Sequence, residues 1–359
     1  MIAPNFNNYK SIMNYNSISL HKTEFDENYI LLYDNQTLSV GYIVKIILEY
    51  LQKNILDPNI IQKKILLEKD IDLDIYDIKN VIEKINIFLS KKNNKSFTKI
   101  LKIFNPSLIN LKAFYFLFNQ NIFYILFSFT FFINIIFTNL IINQPLNSKH
   151  YIYWLLLTFF ILFIHEMGHA ISANKFNVKC NEIGLGIYLI FPVLYINIGE
   201  SWKLKKHKRV IINLAGIYFQ LIIGVIIGLT AFSSKYSLLS HLFFTNLTIL
   251  ILNLNPLIKF DGYWVLSDLM DTKNLSKKAD ETLKKIKKLD FSFLKMWLIF
   301  YSLLRTLFFL YIFYFLIKLL IQVFYKIIRG EQLTNYQYLI ILIIFTVIIK
   351  KIKNGFKTS

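Results

Sequence analysis

The chain has 359 residues, 55% of them hydrophobic, and a formal net charge of +19. A soluble globular protein is usually about 45–50% apolar, so this composition excludes a chain that is soluble along most of its length. The single cysteine, Cys180, excludes an intrachain disulfide. No nucleic-acid-binding motif accompanies the positive charge, so we expect a lipid bilayer as partner and no nucleic acid.

Residues 1–112 are polar and charged, unlike the rest of the chain. Tyr29–Tyr33 is a short strand-like run, closed by the turn-forming residues 34–36. Val40–Leu51 and Ile75–Leu89 have apolar residues at helical spacing. We therefore predict a small α/β domain, followed by a basic linker over residues 91–112. Lysines collect on the cytoplasmic side of a membrane, so the N-terminus is predicted to be cytoplasmic.

Long hydrophobic runs predict a mainly α, polytopic membrane protein with about six spans. About 20 apolar residues are enough to cross the hydrocarbon core. The basic run at 203–209 is predicted to be a cytoplasmic loop between spans. Arg305 lies inside a span, where a charged side chain usually faces the protein interior. The predicted spans are 118–142, a second span that contains His165, 210–234, 238–257, 294–317 and 336–349.

The segment Cys180–Trp202 is apolar but unsuited to a regular helix, because Gly184, Gly186, Pro192 and Gly199 interrupt it. We predict that it is a re-entrant or interfacial segment. Non-helical backbone at membrane depth persists only where protein or enclosed water satisfies its polar groups.

A metal-binding motif, HEMGH, follows the second apolar run directly. His165 and His169 are four residues apart, so on a helix both imidazoles face the same side and can reach one metal ion. Glu166 is placed to act as a base toward water at that ion. The alternative is a span that simply ends in a solvated helix terminus. Ionisable residues next to an uncharged span are rare and usually functional, which favours a site.

A catalytic zinc normally takes three ligands from the protein, so HEMGH leaves one to be found. Asp261 is a candidate, because it follows the fourth span and lies between Pro256 and Gly262. Pro256 interrupts the helix and Gly262 permits a sharp turn, which could direct the carboxylate inward. An ordinary Asp-Gly turn explains the same residues equally well.

HEMGHA together with NLNPLIKFDGYWVLSD resembles the site-2-protease class of intramembrane metalloproteases, in its peptide zinc metalloprotease branch. The resemblance implies Zn²⁺ held by His165, His169 and Asp261, with Glu166 as the catalytic base. It also implies that Asn255 binds substrate or stabilises the oxyanion. The segments 214–220 and 191–197 are similar to further parts of that class, and the likeness covers about residues 110–325.

Charge, hydropathy and the resemblance together predict three regions: a cytoplasmic domain and linker (1–112), an intramembrane metalloprotease core (113–325), and a last span with a basic cytoplasmic tail (326–359). Tyr29–Lys91 resembles the small winged-helix domains that recognise leader peptides, although a generic cytoplasmic domain fits equally well. The composition, rich in Ile, Lys and Asn, is typical of an AT-rich bacterial genome.

The implied function is zinc-dependent cleavage of a membrane-associated peptide near the cytoplasmic face of a bacterial cell membrane. Maturation of a secreted or modified peptide is the first choice of role. Regulated cleavage of a membrane-anchored regulator is the second. A non-catalytic immunity or transport protein is the alternative of another class, but such a relic would be expected to have lost one of the four site residues, and all four are intact.

Overall fold

A computed structural model of the chain describes residues 15–23, 28–33, 36–90, 97–108, 110–144, 150–180, 182–188, 191–284 and 293–332. The described residues are mainly helical and include two small sheets. The first sheet belongs to an N-terminal unit, and the second lies beside the membrane helices.

The N-terminal unit contains an antiparallel sheet of order β1-β2-β3 and three helices. The predicted strand and both predicted helices are present. A further helix, α2, was not predicted from its weak apolar periodicity, although Asp57 caps it and Pro58 occupies its first turn. The winged-helix resemblance stays a prediction. The elements are β1 (Ser19–Lys22), β2 (Tyr29–Tyr33), β3 (Gln36–Val40), α1 (Tyr42–Gln52), α2 (Pro58–Lys69) and α3 (Ile75–Ser90).

Among the described residues, five helices are long and apolar enough to cross a membrane, and they correspond to the first five predicted spans. The sixth predicted span, 336–349, lies outside the described residues. α6 lies at the centre and packs against α4, α5 and α7. Gly168 permits the close α5–α6 contact, since a Cβ there would lie 2.5 Å from the carbonyl oxygen of Ala215. The five helices are α4 (Gln120–Ile141), α5 (Tyr151–Lys175), α6 (Lys206–Ser234), α7 (Ser237–Leu254) and α10 (Phe293–Ile328).

The second sheet has the order β4-β5-β6, with both neighbouring pairs antiparallel: β4 (Phe97–Phe104), β5 (Ile183–Tyr188) and β6 (Phe191–Ile196). Residues 97–104 therefore form a strand, where the sequence suggested only a basic linker. Within the interrupted segment 180–202, β5 and β6 form an antiparallel pair, and a short 3₁₀ helix begins at Gly199. Gly184 lets β4 approach, because a Cβ there would lie 2.5 Å from the carbonyl oxygen of Leu101.

Two short helices follow α7: α8 (Asp261–Leu269) and α9 (Leu275–Lys284). α9 packs against α10, and Arg305 of α10 donates to both carboxylate oxygens of Asp280 at 2.6 Å. Arg305 thus has a protein partner, as its position inside a span predicted. The side chain of Arg305 is 18% exposed, so this ion pair fastens α10 to α9.

Candidate metal centre and active site

His165, His169 and Asp261 converge at one point between α5 and α8. The two histidine Nε2 atoms lie 3.1 Å apart. Asp261 Oδ2 lies 3.0 Å from His165 Nε2 and 3.4 Å from His169 Nε2. The potential ligand atoms of the three residues all lie within 4.8 Å of one another, and both histidines are buried. The structure thus brings together the three residues that the sequence suggested as ligands.

The bend between α7 and α8 determines where Asp261 lies. Asn255 Oδ1 accepts a hydrogen bond from the backbone N–H of Leu257 at 2.9 Å, in an Asx turn that follows the last turn of α7. A Cβ on Gly262 would collide with the carbonyl oxygen of Leu254, so α8 can start this close to α7 only with glycine there. Asp261 is therefore the first residue of α8 and faces α5.

The surroundings of these ligands fit a bound zinc ion. His169 Nδ1 lies 2.7 Å from the carbonyl oxygen of Ile212, which can only accept, so Nδ1 carries the proton and the Nε2 lone pair faces Asp261. His165 Nδ1 lies 3.0 Å from Gln220 Oε1, which also only accepts, so this Nδ1 carries the proton as well. Asp261 Oδ2 is buried and finds no hydrogen-bond donor among the described residues. Two imidazole nitrogens and one carboxylate oxygen form a typical catalytic zinc set, with the second contacts that orient such histidines.

A cavity of about 950 Å³ opens beside the three ligands. Glu166 lines it and is 9% exposed, so its carboxylate is next to the metal ligands but still accessible from the cavity. Asn253 lines the cavity and donates to Gln220 Oε1 at 3.2 Å. Asn255 is not among the described residues that line it, and its role toward substrate stays a prediction. β6 forms one wall of the cavity.

Gly216 of α6 leaves the space that the two histidines occupy. A Cβ at this position would collide with His169 Nε2 and lie 2.6 Å from His165 Nε2. Sequence reasoning did not assign Gly216 to the site, although it lies in the segment 214–220 that resembles the protease class. The only signal in the sequence was the small-residue pair Ala215-Gly216, which also occurs in ordinary helix packing.

A buried ion pair fastens α8 to the start of α6. Arg209 Nε donates to Asp268 Oδ1 at 2.6 Å, and Asn213 Nδ2 donates to Asp268 Oδ2 at 2.6 Å. Burial raises the pKa of Asp268 to about 6, although Arg209 and Asn213 act in the opposite direction. The sequence suggested a cytoplasmic loop over residues 203–209, but α6 begins at Lys206 and Arg209 is buried. The pair holds the helix that begins with Asp261.

We expect Asp268→Ala to destabilise the fold strongly, because it leaves the Arg209 guanidinium buried without its main partner. Breaking a buried pair in this way costs about 3–5 kcal/mol. Asp271→Ala is the matched control, since Asp271 accepts from the same arginine at 2.7 Å but its side chain is 61% exposed. An exposed pair contributes roughly 0–1 kcal/mol. Thermal unfolding in detergent measures both variants, and equal melting temperatures would contradict this assignment.

Comparison with known proteins agrees with this geometry. Residues 153–243 match the model of peptidase family M50, a stretch that includes His165, Glu166 and His169 and ends before Asp261. The chain is 25% identical over 199 residues to "Putative peptide zinc metalloprotease protein YydH" of Bacillus subtilis (strain 168). That alignment covers 52% of this chain and 78% of the relative.

Both findings support the site-2-protease class. No solved structure matches the chain significantly. The match to peptidase family M50 supports a zinc metallopeptidase, and the five apolar helices agree with a membrane protein. Asp261 lies outside the stretch that matches the family model, so its place beside His165 and His169 rests on the geometry described above.

Proposed function

We propose that this protein is a zinc-dependent intramembrane endopeptidase that cleaves a membrane-associated peptide near the cytoplasmic face. One observation carries the proposal. His165, His169 and Asp261 converge within 4.8 Å at the edge of a cavity that Glu166 also lines. A three-ligand site beside a carboxylate and an open cavity is the arrangement that metal-assisted peptide hydrolysis requires.

His165 Nε2, His169 Nε2 and the Asp261 carboxylate would hold the zinc ion. When bound, zinc supplies Lewis acidity that polarises the scissile carbonyl. Glu166 accepts a proton from the attacking water on its carboxylate and delivers it to the nitrogen of the leaving amine. Gln220 and the carbonyl oxygen of Ile212 keep the histidine rings oriented by accepting from their Nδ1 atoms.

The substrate must be extended at the scissile bond, because a helix buries its peptide groups in its own hydrogen bonds. β6 can receive such a segment, since it bonds only to β5 among the described strands and no described strand pairs with its other edge. Pro192, which lacks an N–H, is tolerated on an edge strand of this kind. We propose that the substrate adds to β6 as a further strand.

The proposed role is maturation of a secreted or modified peptide in a bacterial cell membrane. The name of the Bacillus subtilis relative, "Putative peptide zinc metalloprotease protein YydH", supports a peptide as substrate. A leader peptide bound by the cytoplasmic N-terminal domain belongs to the same proposal.

The test is hydrolysis of a fluorescence-quenched peptide library by the detergent-purified full chain. We expect cleavage that stops when a chelator removes the metal and returns when zinc is added back. Zinc that restores cleavage in the wild type but not in Asp261→Ala would support the site. Cleavage that survives chelation, or no cleavage by zinc-loaded protein, would contradict the proposed function.

A further inference from the structure

The N-terminal unit packs directly against the core beside the active-site cavity. All three strands β1, β2 and β3 contact the short 3₁₀ helix Gly199–Lys203, which follows β6. A Cβ on Gly199 would lie 3.6 Å from Leu32 Cδ2 of β2, in ordinary van der Waals contact. His21 Nε2 of β1 lies 3.7 Å from Glu200 Oε1. The N-terminal sheet thus meets the segment that directly follows a wall of the cavity.

Two side chains of the N-terminal unit line the same cavity as Glu166 and Asp261: Leu38 of β3 and Phe88 of α3. Both are anchored in the core of their own unit. Leu38 packs against that core and lies opposite the fully buried Leu31 in the sheet. Phe88 is 8% exposed, and its ring centroid lies 6.4 Å from that of Tyr33. Both therefore add apolar surface to the cavity wall while packing in the core of their own unit.

Two strands that each leave one edge without a described partner strand, β3 and β6, therefore contribute to one cavity. β3 bonds only to β2, and β6 bonds only to β5, among the described strands. Tyr195 of β6 donates a hydrogen bond to Glu182, which also accepts from Lys99 of β4 at 3.3 Å. The bond from Tyr195 and the charge of Lys99 lower the pKa of Glu182. These contacts tie β6 to β4 and hold it in place.

The size of the cavity suits part of a peptide. Its volume, about 950 Å³, is at the upper end of the roughly 300–1,000 Å³ of small-molecule pockets. An extended peptide advances about 3.3 Å per residue, with side chains alternating between faces. A peptide strand paired with β6 would thus direct alternate side chains to opposite faces of the sheet. Leu38 and Phe88 of the N-terminal unit line the same cavity and can contact one set of these side chains.

We infer that Leu38 and Phe88 form an apolar subsite for a side chain of the substrate peptide, whose cleavage uses Glu166 as the base. The N-terminal domain then forms part of the cavity wall and selects the substrate by direct contact. This role is separate from the binding of a leader peptide at another surface of the domain. The substrate class is an extended peptide with a large apolar side chain near the scissile bond. This inference rests on the proposed function.

Photo-crosslinking in the full chain tests the inference without requiring turnover. The photoreactive residue p-benzoylphenylalanine replaces Leu38, Leu194 of β6 or Leu67, in a Glu166→Gln background. Leu67 is the matched control, because it is a leucine of the same N-terminal unit that is 84% exposed and does not line the cavity. The probe is a biotinylated pool of random peptides of about ten residues, which reach roughly 33 Å when extended.

We expect labelling at positions 38 and 194 and little at position 67, with large apolar residues enriched in the peptides captured at position 38. Labelling at 194 without 38, or equal labelling at 38 and 67, would overturn the inference. A second variant, Leu38→Ala with Glu166 intact, should reduce the preference for a large apolar side chain, mainly through KM. An apolar contact of this kind contributes about 10-fold or more to discrimination.

Failure of the inference and failure of the proposed function give different results. Zinc-dependent cleavage by the wild type with an unchanged side-chain preference in Leu38→Ala would overturn the inference and leave the proposed function intact. Absence of cleavage by the wild type would contradict the proposed function. Leu67→Ala should match the wild type in cleavage preference throughout.

Discussion

Glu166→Gln is expected to abolish peptide hydrolysis and to leave zinc binding intact. The amide keeps the size of the side chain but cannot accept the proton from the attacking water. Loss of a general base typically costs about 10²–10⁴-fold in rate. Because Glu166 lines the cavity and is not one of the three converging ligands, the metal content should stay at the wild-type level. The measurement is kcat on the peptide library, together with metal analysis of the same sample.

Glu49→Gln is the control for this experiment. The side chain of Glu49 in α1 is 44% exposed and pairs with Lys45 at 3.2 Å, away from the cavity lining, so the same chemical change there should have no effect on hydrolysis. A Glu166→Gln protein that retains zinc and more than a tenth of the wild-type rate would rule out Glu166 as the base.

Gly216→Ala is expected to prevent zinc binding through the added methyl group alone. Its Cβ would occupy the space of the two histidine Nε2 atoms, so the rings must rotate away from Asp261. Disturbing the orientation of metal ligands lowers metal affinity by about 10–100-fold, and displacement of two rings should exceed the lower end of that range. Competition with a fluorescent zinc chelator measures the affinity directly.

Gly228→Ala separates this effect from general damage to helix packing. Gly228 is also in α6, but a Cβ there would meet the ring of Phe137, 2.7 Å from its Cδ2, and no metal ligand. We expect this variant to lose stability yet to bind zinc like the wild type. Similar zinc affinities for Gly216→Ala and Gly228→Ala would show that the positions of the His165 and His169 rings do not depend on the absence of a side chain at Gly216.

The parts of the fold that depend on local sequence were predictable. His165 and His169 are one helical turn apart, and this spacing predicts a shared face without any tertiary information. The membrane helices followed from uninterrupted apolar runs of sufficient length. α2 was not predicted because its apolar periodicity is weak, although the sequence contains two helix-start signals, the capping residue Asp57 and Pro58 in the first turn.

The long-range parts were not predictable from spacing. From spacing alone, a metal-ligand role for Asp261 and an ordinary Asp-Gly turn were equally plausible, and only the resemblance favoured the ligand. Spacing could not decide, because the contact between Asp261 and the histidines of α5 depends on the bend after α7. Arg209 was assigned to a loop, because its neighbours are lysines and its partner Asp268 is distant in sequence. β4 was assigned to a linker for the same reason, since its partner strand β5 is about 80 residues further along the chain.

The most direct test of the account is the zinc content of the detergent-purified wild type beside Asp261→Ala. Three ligands from two distant segments predict about one zinc ion per wild-type chain, and little or none in the variant, because His165 and His169 alone leave the site incomplete. Equal zinc content in the two proteins would show that Asp261 is not a ligand. Absence of zinc from both, even after zinc is supplied, would contradict the metalloprotease account as a whole.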